Sequence, residues 1–331
     1  MSLRVFVLAV ALTTAAACGS GPTPPPPPPP AAPTVSCPAS ISFDSPDNVA
    51  LPVAFTVPTA SGGQAPVTVT CSAQSGASFP LGSTIVTCTA TDALQRTATC
   101  NFNVAVTPTP RISKTKFLAF GDSITNGRCN AGGQMCPPYA DRLRELLVTR
   151  YTRQQFTVTS SGVNGETASN DVLGLLDRAG EDRLPIDLTR ERPEVLLLME
   201  GTNDLFHDPV TGASRAILAL SRMIDMALGQ GAMVFIATIP PQRENGPIGR
   251  TEVARLIPGF NVQLKSMATA KGATVVDVNA AMSADLDRYI GNDDLHPTAE
   301  GLRLIGETFY AAIRQKLDST PVPASSLFKR R

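Results

Sequence analysis

The stretch Lys116-Phe117-Leu118-Ala119-Phe120-Gly121-Asp122-Ser123-Ile124-Thr125-Asn126-Gly127 decides the fold. A short apolar run stops at a glycine, and a hydroxyl follows at once. Such a run reads as a buried strand, and open α/β sheets place their ligand crevices at the carboxyl ends of strands. Ser123 is therefore the first candidate nucleophile. A serine is a weak nucleophile at neutral pH and needs a base that is itself held by a third group. The chain has 2 histidines, His207 and His296. His296 lies in Asn292-Asp293-Asp294-Leu295-His296-Pro297, with the Asp293 carboxylate three residues upstream. Asp294 competes for the orienting role; the D-x-x-H spacing favours Asp293. His207 reads as an exposed loop residue with no catalytic role.

Outward from that stretch, apolar strand-like runs alternate with amphipathic helical patterns. The strands are read at Phe117 to Phe120, Gln155 to Ser160, Val195 to Met199, Met233 to Ile239 and Ala273 to Val278. The helices are read at Tyr139 to Tyr151, Ala213 to Leu228, Thr251 to Ala270 with an interruption at Pro258, and Thr298 to Leu317. This alternation predicts an α/β domain over residues 114–318, a parallel sheet covered by helices on both faces.

Four short blocks fall after strands or at the sheet's carboxyl edge: Gly121-Asp122-Ser123; Gly162-Val163-Asn164-Gly165-Glu166-Thr167; Gly201-Thr202-Asn203-Asp204; and Asp293-Asp294-Leu295-His296. In this order and spacing they resemble the blocks of the SGNH (GDSL-like) hydrolases. The resemblance implies a flavodoxin-like three-layer fold and a serine esterase. It makes Ser123 the nucleophile, His296 the general base and then acid, and Asp293 the group that fixes the tautomer of His296. It also implies an oxyanion hole from the backbone N–H groups of Ser123 and Gly165 and the side-chain amide of Asn203, donors aimed where negative charge develops. Taken singly, Ser123 reads equally well as a helix cap, and Asn203-Asp204 as a simple turn.

Residues 35–108 have another character. Val67-Thr68-Val69-Thr70, Ser83-Thr84-Ile85-Val86-Thr87 and Asn101-Phe102-Asn103-Val104-Ala105-Val106 alternate with the period of a half-buried strand, and several such strands in a short segment indicate a small all-β sandwich. Cys37-Pro38, Val69-Thr70-Cys71, Phe79-Pro80-Leu81-Gly82-Ser83-Thr84, Val86-Thr87-Cys88-Thr89-Ala90-Thr91-Asp92 and Cys100-Asn101-Phe102 resemble a hyalin-repeat (HYR) module. That resemblance implies an immunoglobulin-like fold, a spacing or adhesive role with glycan or protein contacts, and the pairs Cys37–Cys100 and Cys71–Cys88. Four cysteines allow three connectivities, so the pairing stays open.

The amino terminus reads as a targeting segment, residues 1–17. Arg4 is followed by an apolar core, Val5 to Leu12, and by Ala15-Ala16-Ala17 before Cys18. The core is shorter than the roughly 20 residues that span a bilayer. Small residues directly before a cysteine resemble a bacterial lipoprotein signal, which implies a lipid anchor on Cys18. Ordinary cleavage near Ala17 is the alternative; both predict export. Residues 18–34 form a proline-rich spacer, extended rather than packed, and residues 319–331 a tail. Of 7 cysteines, setting Cys18 aside leaves an even number, as an oxidising compartment favours. Cys129 and Cys136 bracket a glycine-containing loop after the nucleophile, where a disulfide would brace it.

Other chemistries are poorly supported. Formal net charge is zero and no basic run precedes the last residues, which argues against nucleic acid. G-x-S-x-G, H-E-x-x-H and paired C-x-x-C are absent, and Asp285, Asp287, Asn292 and Asp293 do not match a calcium loop. No metal and no cofactor is expected. The sequence thus predicts an exported, lipid-anchored enzyme that hydrolyses carboxylic esters through an acyl-enzyme. A polysaccharide O-acetylesterase or acyltransferase is a neighbouring reading. A surface adhesion protein on an inactive hydrolase scaffold is a distant one, disfavoured because a scaffold has no need of Ser123, Gly165, Asn203, Asp293 and His296 together.

Overall fold

The computed structural model describes residues 28–130, 133–170, 179–246 and 249–323. Cys18 and the targeting segment lie outside the described residues, as do most of the spacer and the tail from 324 onward. Two compact units are present, one built from residues before 43 and from 51–105, the other from 43–50 and from 106 onward. Among the described residues no helix is long and apolar enough to cross a membrane.

The first unit is all-β. Thr34–Ser36 (β1) pairs antiparallel with Thr59–Ser61 (β4), and Leu51–Pro52 (β3) with Ser78–Phe79 (β6). A larger sheet runs Ile41–Ser45 (β2), Thr97–Pro108 (β8), Gly82–Thr91 (β7), Thr68–Cys71 (β5). Period-two alternation turns Val86, Cys88 and Ala90 of β7 and Phe102 and Val104 of β8 inward, where they join Val53 and Phe79. Cys37 is bonded to Cys100, and Cys71 to Cys88, its cross-strand partner in the β5–β7 ladder.

The second unit carries a five-stranded parallel sheet: Lys116–Gly121 (β9), Thr157–Gly162 (β10), Val195–Met199 (β11), Met233–Ala237 (β12) and Thr274–Val276 (β13), in the spatial order β10-β9-β11-β12-β13. Phe117, Ala119, Val195, Leu197 and Phe235 face one layer. Tyr139, Leu143 and Leu147 of Tyr139–Arg150 (α1) and Ile305, Phe309 and Ile313 of the C-terminal helix Ala299–Leu317 cover it. Leu118, Phe120, Leu196, Leu198 and Ile236 face the opposite layer, formed by Gly180–Glu191 (α2), Gly212–Gly229 (α4, preceded by the short α3 at Thr202–His207) and Thr251–Ala270 (α5). Both sheet faces are therefore apolar, as expected of parallel strands buried on both sides.

Several local expectations change. Pro258 does not interrupt α5: it removes the N–H that would bond the Ala254 carbonyl, but Ile257, Phe260 and Leu264 remain packed on the sheet and hold the helix through it. The last predicted strand stops at Val276, and Val278–Met282 is a short helix (α6), capped by the Asp277 side chain. Leu286–Tyr289 (α7) follows, and Ala299–Leu317 is α8, whose N-cap Thr298 accepts from Gly301 N at 3.0 Å. Helix α2 has no counterpart in the sequence reading. It opens on Gly180 and contains Pro185, both poor helix residues, and Leu184 and Leu188 bury it against the sheet.

Candidate active site

The sheet register brings three of the four blocks together. Gly121 lies beside Gly162 on one side and beside Met199 on the other, so β10, β9 and β11 end level. The chain reverses direction across the sheet between β9 and β11, the crevice position for this topology. Gly121 is required there: a Cβ would stand 2.3 Å from the Met199 carbonyl oxygen and from Thr125 Oγ1.

Ser123 occupies a tight turn rather than a helix start. Asp122 O accepts from Asn126 N at 3.0 Å, Ser123 O from Arg128 N at 2.9 Å, and Asp122 Oδ1 from Ile124 N at 2.9 Å. Ser123 is 5 % exposed, and its Oγ lies 2.9 Å from His296 Nε2. His296 comes from the loop between α7 and α8. Ile290 and Pro297 bridge across that loop, Gly291 N donates to His296 O at 2.7 Å, and Thr298 N donates to Tyr289 O at 2.9 Å.

On its far side the His296 ring meets Asp293, with Nδ1 at 2.6 Å from Oδ2, and the His296 backbone N–H donates to Asp293 Oδ1 at 2.8 Å. Burial alone would raise the Asp293 carboxyl, but the hydrogen bonds from the His296 ring and backbone outweigh it and hold the group below the ordinary carboxylate range. Asp294, the competitor, turns elsewhere. Its backbone is left-handed at φ 64°, and its buried carboxylate is 3.7 Å from Arg243 Nη1. Arg243, which sequence reading did not single out, donates to the carbonyls of Gly291 at 2.5 Å and Ile290 at 2.7 Å and so staples the histidine loop.

Gly165 and Asn203 arrive at the same edge. Glu166 N bonds Val163 O at 3.2 Å and closes a turn with Gly165 at its third position, φ 77°. A Cβ on Gly165 would meet nothing within 4 Å. The glycine is needed for its backbone conformation, not for close approach to a neighbour. Among the described residues no acceptor takes the backbone N–H of Ser123 or Gly165. Asn203 sits in the first turn of α3, 7 % exposed, and its Nδ2 donates one hydrogen to Glu166 O at 2.7 Å. A second hydrogen on that nitrogen remains. His207 ends α3 on the surface, edge-on to Phe206.

Beneath the loops lies a set of buried acids, of which Asp122, Glu166 and Asp204 stand inside the sequence blocks with no role assigned to them there. Asp122 is pushed up to about 7, first by burial and then by the charges of Glu166 and Asp204, against a lowering hydrogen bond from Ile124. Asp204 is raised to about 6, chiefly by burial, although it accepts from Ala168 N at 2.8 Å and Ser169 N at 3.0 Å and thereby ties the Gly165 loop to α3. Burial, then the charges of Glu166 and Asp122, raises the Glu200 carboxyl well above the ordinary range. Arg183 is the cation of this cluster, donating to Glu166 from Nε at 2.7 Å and from Nη2 at 2.5 Å.

Cys129 and Cys136 are bonded to each other, closing the loop after the nucleophile. Cys129 N donates to Gln134 O at 2.9 Å, and Cys136 N donates to Gly127 O at 2.8 Å.

Ser123 Oγ, the His296 ring and the Asp293 carboxylate thus form one hydrogen-bonded chain beyond the ends of the strands. The GDSL-like Lipase/Acylhydrolase family model matches residues 119–304, and the HYR domain model residues 30–106. The chain belongs to the GDSL-like lipase/acylhydrolase family. It is 23 % identical over 248 residues to a multidomain esterase of Ruminococcus flavefaciens, a match covering 65 % of this chain and 31 % of that protein, so the chain spans about a third of its relative's length. Among solved structures it resembles a lipase/acylhydrolase from Enterococcus faecalis, with TM-score 0.52, 21 % identity, 63 % of this chain and 100 % of the other. It also resembles a carbohydrate acetylesterase family member from Sinorhizobium meliloti, with TM-score 0.51, 22 % identity, 61 % of this chain and 98 % of the other. These two likenesses establish the fold.

Proposed function

We propose that the protein hydrolyses carboxylic esters through an acyl-enzyme on Ser123. The observation that carries this reading is the continuous relay from Ser123 Oγ to His296 Nε2 at 2.9 Å and from His296 Nδ1 to Asp293 Oδ2 at 2.6 Å. With its Nδ1 hydrogen given to Asp293, the ring presents Nε2 as an acceptor. Ser123 Oγ attacks the ester carbonyl as its proton passes to Nε2, and the carbonyl oxygen becomes an oxyanion. The N–H groups of Ser123 and Gly165 and the second Asn203 Nδ2 hydrogen receive that charge, each such donor being commonly worth about 3 kcal/mol. His296 then protonates the leaving alkoxide and the alcohol departs. A water, deprotonated by the same nitrogen, attacks the acyl-enzyme, and His296 returns that proton to Ser123 Oγ as the acyl–oxygen bond breaks and the acid leaves.

The remaining features assemble around that chemistry. The targeting segment at 1–17 exports the chain, Cys18 carries a lipid, residues 18–34 act as a spacer, the HYR module occupies 35–108 and the hydrolase 114–318. Three disulfides in the two units support an oxidising compartment. The experiment is hydrolysis of p-nitrophenyl acetate and longer p-nitrophenyl esters by the wild type, Ser123→Ala and His296→Ala. Both variants are expected to remain folded and to lose activity by at least about 10³-fold. Activity retained in both, with the fold intact, would remove the relay from the mechanism.

A further inference from the structure

We propose that Arg183 is a positioning residue for ester hydrolysis, acting through Glu166 to hold two donors of the oxyanion hole; this rests on the acyl-transfer reading above. Glu166 is the residue on which both donors depend. Its backbone follows Gly165 directly and closes the Val163–Glu166 turn at 3.2 Å, so its placement sets where the Gly165 N–H points. Its carbonyl oxygen takes one hydrogen of Asn203 Nδ2 at 2.7 Å, so its placement also sets where the other hydrogen points. Displacing Glu166 therefore disturbs two donors at once, without touching Ser123 or His296.

What fixes Glu166 is the fork of Arg183. Two parallel hydrogen bonds, at 2.7 and 2.5 Å, grip a carboxylate whose side chain is 1 % exposed. A bidentate guanidinium holds both position and plane, which a lysine cannot reproduce. The guanidinium is itself anchored to the nucleophile strand. Its carbon lies 3.9 Å over the Phe120 ring, and its Nη2 also reaches Gly121 O at 3.4 Å and Ser161 O at 3.2 Å. Its Nη1 bonds Asp187 Oδ2 and Ser161 Oγ, both at 2.6 Å. Arg183 therefore measures the oxyanion loop against the strand that delivers Ser123. An ion pair made only for stability would need the grip on Glu166, but not these bonds to the carbonyls at the ends of β9 and β10.

The test compares full-length wild type with the charge-neutral pair Glu166→Gln/Arg183→Met and with Arg183→Lys. Assays use p-nitrophenyl acetate hydrolysis, inhibition by phenylboronic acid, and thermal melting. A second arginine–glutamate pair, between α1 and α8, in which Arg142 Nε and Nη2 both donate to Glu307 Oε1 at 3.0 and 2.6 Å, serves as control in the form Glu307→Gln/Arg142→Met. We expect kcat to fall roughly 30–100-fold in the Glu166/Arg183 pair and about tenfold in Arg183→Lys, with KM within about threefold. Phenylboronic acid should weaken in parallel, because its tetrahedral adduct uses the same donors. The control should lower the melting temperature and leave kcat within about twofold. Folded variants with kcat within threefold of wild type, or with only KM changed, would overturn the proposal. If the Glu166/Arg183 pair does not fold, Arg183→Lys decides by the same criterion. Wild-type activity that survives Ser123→Ala would instead overturn the acyl-enzyme reading itself.

Discussion

The Asp293 carboxylate holds His296 at two points, the ring Nδ1 at 2.6 Å and the backbone N–H at 2.8 Å, so orientation of the imidazole and shape of the loop share one anchor. Asp294, although adjacent, faces Arg243 instead. Asp293→Asn is expected to lower kcat by about 10³–10⁴-fold, because an amide can donate to Nδ1 and stabilise the wrong tautomer. Asp294→Asn should mainly lower the melting temperature through the Arg243 staple. Steady-state kinetics and melting curves on both variants check the contrast; equal catalytic losses would remove it.

Stability should carry the signature of the buried acids. Asp122, raised from 3.8 to about 7, binds its proton more tightly folded than unfolded. Its contribution is therefore fully present below about pH 4 and is lost as pH rises through about 7, each tenfold difference in proton affinity being worth about 1.4 kcal/mol. Asp204, raised to about 6, acts in the same direction over a narrower window. Asp122→Asn keeps an oxygen to accept from Ile124 N and cannot ionise. Between pH 5 and 8 its melting temperature should decline less than that of wild type. A parallel decline would show that Asp122 does not titrate in this range.

The Cys129–Cys136 bond closes a loop with a sequence separation of 7. In the chain-entropy model such a closure stabilises by about 2.5 kcal/mol. Replacing both cysteines by serine should lower the melting temperature by roughly 5 °C. It should also eliminate the difference between oxidised and reduced protein that is assignable to this loop. Unchanged melting of the oxidised protein would mean that the backbone bonds of Cys129 and Cys136 hold the loop by themselves.

The sequence was readable where local pattern and tertiary demand coincide. Val195 to Met199 is a five-residue apolar run, and the strand has the same bounds, because parallel strands covered on both faces leave no polar position to blur the ends. That Ser123, Asp293 and His296 would meet was legible because the chain has few histidines and a carboxylate stands three residues before one of them. Arg183 and Arg243 were not, since an arginine's partners are fixed only when distant strands and loops meet. Arg183 was doubly hidden, on a helix whose Gly180 and Pro185 argue against helix in isolation and whose stability comes from Leu184 and Leu188 in the core. Asn203-Asp204 reads as a turn by composition; burial of Leu205 makes it a helix, and Asp204 then binds the loop opposite.

The shoulder-to-shoulder ending of Gly162, Gly121 and Met199 has one more consequence. Side-chain polarity ordinarily forbids a strand to slip, because a one-residue shift drives polar groups into the core. Here the central strands are greasy on both sides, so a slipped alignment would cost little along most of their length. The penalty is concentrated at the carboxyl tips, where only a hydrogen on Gly121 fits between the Met199 carbonyl and Thr125. The edge that carries Ser123 thus doubles as the ruler that tells the sheet where to stop.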